Sequence, residues 1–422
     1  MNGSILRSSL LFLTLAFVQV QAQTAWPLPA VAPEAAGFSA KGLDRLHQAL
    51  DRTVDDGSHA GYILLLARDG KLVDWRAHGY RNALTREALA KDDIVRIFSM
   101  SKLFTSTAVL MLLEEGKLKL DDPIELYLPA LKHRKVLTGG TADAPVLVDA
   151  ARPVTIRDLL THTSGYYYDF TASGTLLALY QRANVFAAPD LEAFVASAAQ
   201  LPLASQPGTA FRYGISTDLL GALIEKASGQ SLDAFFAGRI TKPLGLKDTG
   251  FWVPEEQRSR LALIHGKGPE GRLVLDQMFN GERPTATRGL RSGGGGLFST
   301  AADYARFAQM LLNGGQLEGV RLLSRKSVEL MTQNHLSALA DPHPFGAKAQ
   351  GFGLGVRLIT DLGQSPVLGT PGAFGWDGMA STTVQIDPRE RMVAIVLYQH
   401  LPFNEGDVFS TFFNGTYAAL AD

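Results

Sequence analysis

The sequence predicts an α+β fold in which one antiparallel sheet is assembled from both ends of the chain, flanked by helices and interrupted by an inserted helical region. β-rich runs with tight turns lie towards each end, "YILLLARDGKLVDWRAHGY" and "MASTTVQIDPRERMVAIVLYQH". The middle third carries mostly helical spacing, broken by Gly and Pro loops. Nothing repeats at a solenoid period.

After the proline-rich entry "WPLPAVAPEAAG", Leu43, Leu46, Leu50 and Val54 recur at helical spacing and Gly57 stops that helix. The first β-rich run folds about Asp69-Gly70, a pair that readily takes the positive φ of a hairpin turn. Residues 103–113, "LFTSTAVLMLL", are apolar nearly all round, which predicts a buried helix. "HRKVLTGGTADAPVLVDAARP" and "GERPTATRGLRSGGGG" read as loops. Towards the end, "GFGLGVRLIT" adds strand, Asp387-Pro388-Arg389-Glu390 makes a turn, and "DVFSTFFNGTYAALA" is a closing helix. The expected layout is one domain over 23–422, with sheet regions about 38–120 and 295–422 and a helical region about 121–294.

At 422 residues and 46% hydrophobic, the chain can bury one large core or two smaller ones. A net charge of -1 offers no field for nucleic acid or an anionic membrane surface, so a small neutral or mildly polar substrate fits better. The absence of cysteine excludes disulfides, thiolate metal sites and a lipidated N-terminal Cys. Residues 1–22 read as a signal peptide: Arg7, an apolar run over 10–18, then Val20-Gln21-Ala22 before cleavage. That run is too short to span a bilayer comfortably, so the mature protein is expected to be periplasmic or secreted, without stable membrane insertion.

"SMSKLF", residues 99–104, heads the buried helix. Ser99 and Lys102 are either a helix cap and a solvated cation, or a nucleophile and its base. Serine is a favoured cap. Lysine in a first turn, however, opposes the helix dipole, and Phe98 and Ser106, four residues either side, offer no carboxylate. The three-residue spacing also brings an amine to a hydroxyl on one helical face, which suits nucleophilic catalysis. The chain has no Gly-x-Ser-x-Gly elbow, His-Glu-x-x-His, Walker loop or dinucleotide fingerprint. "SGGGG" at 292–296 reads as a close-approach turn beside a site or core.

Five ordered runs carry a resemblance: "IVRIFSMSKLFTSTAVLMLLEEGKLKLDDPIELYLP", "VTIRDLLTHTSGY", "PGTAFRYGISTDLLGALIEKASGQSLDAFF", "ITKPLGLKDTGF" and "SGGGGLFSTAADYARFAQMLLNGG". From about Ser39 to the last helix the chain resembles the penicillin-recognising serine hydrolases: class C type β-lactamases, DD-peptidases and β-lactamase-like (family VIII type) carboxylesterases. The resemblance implies a β-lactamase/transpeptidase-like fold with Ser99 as nucleophile and Lys102 as its base. Tyr213, in Tyr213-Gly214-Ile215, would share proton transfer, and Trp376-Asp377-Gly378 would edge the cleft. The backbone N–H groups of Ser99 and Met379 would form the oxyanion hole. His162 falls in a structural turn, and Asp218 and Asp303 read as caps or packing residues.

β-Lactam and peptide users carry Lys and Asn where this chain has Trp376 and Ile215. A flat ring attracts no anion, the neighbouring Asp377 would repel one, and Ile215 offers no hydrogen bond. The implied enzyme is a serine esterase on small uncharged acyl esters, working through an acyl-enzyme without metal or organic cofactor. Trp376, Asp377, Gly378 and Ile215 are the expected substrate-binding residues. An amide or β-lactam hydrolase stays open, since Arg288 or Arg291 could restore a cation, as does a non-catalytic binding protein on the same scaffold.

Overall fold

The structure, a computed structural model, describes residues 27–281 and 289–421. The segment 1–22 and Arg288 lie outside the described residues.

Eight strands form one antiparallel sheet in the order Gln350–Phe352, Arg357–Ile359, Phe374–Gly378, Thr382–Asp387, Met392–Tyr398, Gly61–Arg68, Lys71–Asn82, Glu87–Ala88. The two ends of the chain meet at its centre, where Tyr62 stands opposite Tyr398 and Arg68 opposite Met392. The expected α+β class is therefore the observed one. Asp69 takes φ 53° in the hairpin turn. Asp387 holds its own turn by accepting the Arg389 and Glu390 N–H groups, each at 3.0 Å.

Alternation along Gly61–Arg68 sends Ile63, Leu65 and Ala67 to one face and Tyr62, Leu64 and Leu66 to the other, and both faces are buried. The second face is covered by the helices Ala40–Asp55 and Val408–Ala418. Ser39 caps the first of these, its Oγ accepting the Gly42 N–H at 3.2 Å, and Leu43, Leu46, Leu50 and Val54 point inward. Against the first face lie the helices Ser101–Glu114 and Ala301–Leu312, locked by Phe104 stacked on Phe307 at 3.8 Å. Each fully buried leucine here contributes roughly 1.5–3 kcal/mol.

The segment read as a loop after His133 is instead a hairpin, Lys135–Gly140 with Pro145–Asp149. Val146, Leu147 and Val148 are all exposed, so it lacks the half-buried alternation by which strands are recognised. Among the described residues no helix is long and apolar enough to cross a membrane.

Behind the strand pair His400–Leu401 and His265–Lys267 sit three buried histidines. The ring of His59 lies 4.3 Å from that of His400, whose Nε2 meets Glu405 Oε2 at 2.5 Å; Lys267 pairs with Glu405 at 3.2 Å. Burial lowers all three histidines, His59 and His265 to about 4. These two stay neutral in the folded chain while the unfolded chain takes up protons near pH ~6.5, so the stability they carry is full above that pH and lost as pH falls towards 4. The urea midpoint is expected to drop across this window, with a shallower decline in His59→Phe. A midpoint flat from pH 7 to 4.5 would contradict neutral burial.

Candidate active site

Ser99 sits in the 3-10 turn Phe98–Met100 that leads into the Ser101–Glu114 helix. Phe98 holds φ 41°, a left-handed conformation that costs a bulky residue roughly 1–3 kcal/mol. Packing fixes it there, with its ring edge-on to Phe279 at 5.0 Å. The strand Phe374–Gly378 backs the turn closely, since a Cβ on Gly378 would stand 2.4 Å from the Ile97 carbonyl oxygen. Ser99 does not cap the helix, because Met100 holds that position without a side-chain bond. The Ser99 Oγ instead accepts from Lys102 Nζ at 3.0 Å and from the Tyr213 hydroxyl at 2.7 Å.

Lys102 is 0% exposed. Its Nζ also donates to the Tyr168 hydroxyl at 3.1 Å and to the Gly294 carbonyl at 2.8 Å, so three oxygens surround it. The rings of Tyr213 and Tyr168 lie 4.8 and 5.2 Å from it, adding cation–π attraction. Beyond Tyr168 lies the carboxylate of Asp218, which accepts from Tyr168 at 3.1 Å, Ser292 Oγ at 2.5 Å and the Gly294 N–H at 3.0 Å. Burial, and then the Asp218 charge, push the Tyr168 phenol well above its usual range, so it remains a donor to Asp218. On the far side, Trp376 Nε1 donates to the Tyr213 hydroxyl at 3.3 Å. One hydrogen-bonded chain thus runs Asp218, Tyr168, Lys102, Ser99, Tyr213, Trp376.

Sequence reasoning missed Tyr168 and Asp218. Asp218 is neither cap nor simple packing, since the Ser216–Ser228 helix starts at Ile215 without a side-chain cap and the carboxylate turns inward. Asp303 behaves more as expected, accepting the Lys247 and Asp248 N–H groups at 3.1 and 2.7 Å. The 292–296 run is a close-approach turn at the site, for a Cβ on Gly294 would stand 2.5 Å from Asp218 Oδ2 and 2.6 Å from the Tyr168 oxygen.

None of the four expected substrate-binding residues is among the described residues that border the cavity beside Ser99. Ile215 is fully buried in the core. Asp377 alternates to the opposite sheet face from Trp376, where it pairs with Arg357 and accepts from Thr383 Oγ1 at 2.6 Å; its charge is neutralised and repels nothing in the cleft. Gly378 is spent on its contact with Ile97. Trp376, 6% exposed, backs Tyr213 from within an aromatic cluster with Phe345 and Phe352. Arg291 is paired with Asp233 at 2.6 Å.

Ser99 and Met379, the residues assigned to an oxyanion hole, both border a cavity of about 750 Å³ walled by Phe98, Phe251, Phe279, Leu290, Phe298 and Leu401. A small acyl group does not need that much space. His162, at φ 54° after the Ile156–Leu160 helix, is fully buried, and burial followed by the Lys102 charge holds it well below its usual range. Its ring packs 4.9 Å from that of Tyr213, and neither nitrogen has a hydrogen-bond partner among the described residues. Among those residues no cluster of three or more His, Cys, Asp or Glu is arranged to hold a metal.

A family model described as Beta-lactamase matches residues 46–413. An uncharacterised protein of Mycobacterium tuberculosis is 35% identical over 367 residues, covering 85% of this chain and 90% of that one. The lovastatin esterase of Penicillium rubens is 33% identical over 358 residues, covering 81% and 86%. Among solved structures, the unliganded simvastatin synthase LovD of Aspergillus terreus superposes with a TM-score of 0.77 at 25% identity, covering 90% of this chain and 99% of that one.

Replacing Asp218 by Asn removes the buried counter-charge of Lys102 and turns an amide donor towards a group that must donate. A loss of about 3 kcal/mol is expected, read as a lower urea midpoint at unchanged m. Wild-type stability of Asp218→Asn would show that Lys102 does not depend on it.

Proposed function

This chain belongs to the beta-lactamase family of serine hydrolases, and on that premise we propose that it is an exported esterase acting on uncharged esters through an acyl-enzyme on Ser99. The observation that carries the reading is the Ser99 Oγ held between Lys102 Nζ at 3.0 Å and the Tyr213 hydroxyl at 2.7 Å, beside a largely apolar cavity. Ser99 attacks the ester carbonyl as Lys102 Nζ, acting in its neutral amine form, takes the Oγ proton, and the Tyr213 hydroxyl passes its own proton on and regains one from Nζ. The N–H groups of Ser99 and Met379 receive the developing oxyanion. Tyr213 returns the proton to the leaving alkoxide, and water then releases the acid by the same route in reverse.

Two features support an ester over an anionic peptide or β-lactam. The position that carries a lysine in carboxylate-binding relatives is Trp376, and Arg291 is already engaged by Asp233. The similarity to the lovastatin esterase points the same way. Export rests on the pattern of residues 1–22.

Ser99→Ala is expected to keep its fold by circular dichroism and to lose at least about a thousandfold in kcat/KM on p-nitrophenyl acetate. Unchanged turnover would end the assignment. The protein is expected in the cell envelope or medium with a mature chain that begins at Gln23; finding it only in the cytoplasm would remove the export step, and finding residues 10–18 in the mature chain would remove the cleavage.

A further inference from the structure

Resting on the esterase reading, we infer that the cavity beside Ser99 is the acyl pocket, and that the preferred substrates are esters of extended apolar carboxylic acids rather than of short ones. The reasoning is directional. On one side of the Ser99 Oγ stands the Tyr213 hydroxyl at 2.7 Å, backed by Trp376 at 5.4 Å between ring centroids and by Phe345 at 5.6 Å. The cavity opens against Ser99 and Met379, and its described lining does not include Tyr213.

In acylation the bond from Ser99 Oγ to the carbonyl carbon forms, the ester C–O bond breaks, and the Oγ proton reaches the leaving oxygen through the Lys102–Tyr213 pair. The leaving alcohol therefore faces Tyr213. The carbonyl oxygen turns to the Ser99 and Met379 N–H groups. The remaining substituent of the carbonyl carbon is the acyl chain, and the direction left to it leads into the cavity. In deacylation a water oxygen bonds to the same carbon, the Oγ–C bond breaks and a water proton returns to Oγ, with the chain still seated.

The chemistry of the walls then sets the class of acid. Phe251, Phe279, Leu290, Phe298 and Leu401 surround the space. The two arginines on its border are engaged: Arg291 with Asp233 at 2.6 Å, Arg96 over the Phe298 ring at 4.6 Å and donating to the Phe279 carbonyl at 3.4 Å. At the mouth, Phe170 and Phe186 stack on Tyr168 at 4.8 and 5.9 Å and extend the apolar wall outward. A cavity of about 750 Å³ is of the size that encloses a drug-sized molecule. An acetyl group would leave most of that apolar surface against water, and each further methylene removes some of it.

The test uses the wild-type enzyme and two substrate series, below the concentration at which the longer esters aggregate. In the first the leaving group is p-nitrophenol and the acid runs from acetic through butyric and hexanoic to octanoic. In the second the acid is acetic and the alcohol lengthens from methyl to hexyl. Along the first, kcat/KM is expected to rise by about fourfold per methylene, and along the second far less. Leu290→Trp, which narrows the cavity, is expected to lower the octanoate-to-acetate ratio of kcat/KM by at least about tenfold. A fall with each added acyl methylene, or a steep alcohol series with a flat acyl series, overturns the pocket assignment and leaves the esterase standing. No turnover of any ester by folded protein overturns both.

Discussion

Everything at the site depends on keeping the Lys102 amine out of water. An amine without hydrogen-bond partners in a protein interior is costly, so burial at this depth commits the surrounding chain to supply them. They come from segments far apart in sequence: a carbonyl from the glycine run, a phenol from the tyrosine triplet and the hydroxyl of Ser99. Asp218 completes the arrangement one step out, holding both Tyr168 and the glycine run. It stands in the first turn of a helix, where a carboxylate is favoured by the dipole, whereas Lys102 stands in a first turn where a cation is not. The disfavoured group is thus held by contacts rooted in a favoured one.

Ser99 therefore lies on a boundary. Inward is a largely buried polar network whose members satisfy one another; outward is a cavity of aromatic rings. A network of this kind is worth most when complete and is a liability when broken, because each member is an unsatisfied polar group without the next. The left-handed backbone of Phe98 belongs to the same arrangement, since it lies in the turn that carries Ser99 between its lysine and its tyrosine.

Much of the fold was legible because its elements follow simple periods. Leu43, Leu46, Leu50 and Val54 mark their helix, and Asp69-Gly70 marks its hairpin. The exposed hairpin after His133 was not legible, since no burial pattern betrays it. At the site, spacing put Ser99 and Lys102 on one helical face but left a cap and a cation as the alternative; the family resemblance decided between them and supplied Tyr213. Tyr168 could not be told from its two neighbours, and Asp218 looked like an ordinary first-turn acid. Both act through the third dimension, in contacts that no local spacing encodes. The burial of Ile215 and the Asp377–Arg357 pair were not legible for a related reason: a motif gives position along the chain, but alternation and burial decide which way each side chain faces.

The meeting of the chain's two ends in one sheet also governs when the molecule becomes chemically competent. The turn carrying Ser99 is clamped by Gly378, and the strand beside Gly61–Arg68 is Met392–Tyr398. On the ribosome, the nucleophile emerges long before the strands that brace it, and loop closure over so long a separation is slow. The nascent chain thus carries its serine and lysine in an unassembled and inert form until its final segments are available. A hydrolase built this way is silent during synthesis, and the same topology makes an undamaged C-terminal quarter a condition of activity although none of the reacting side chains lies there.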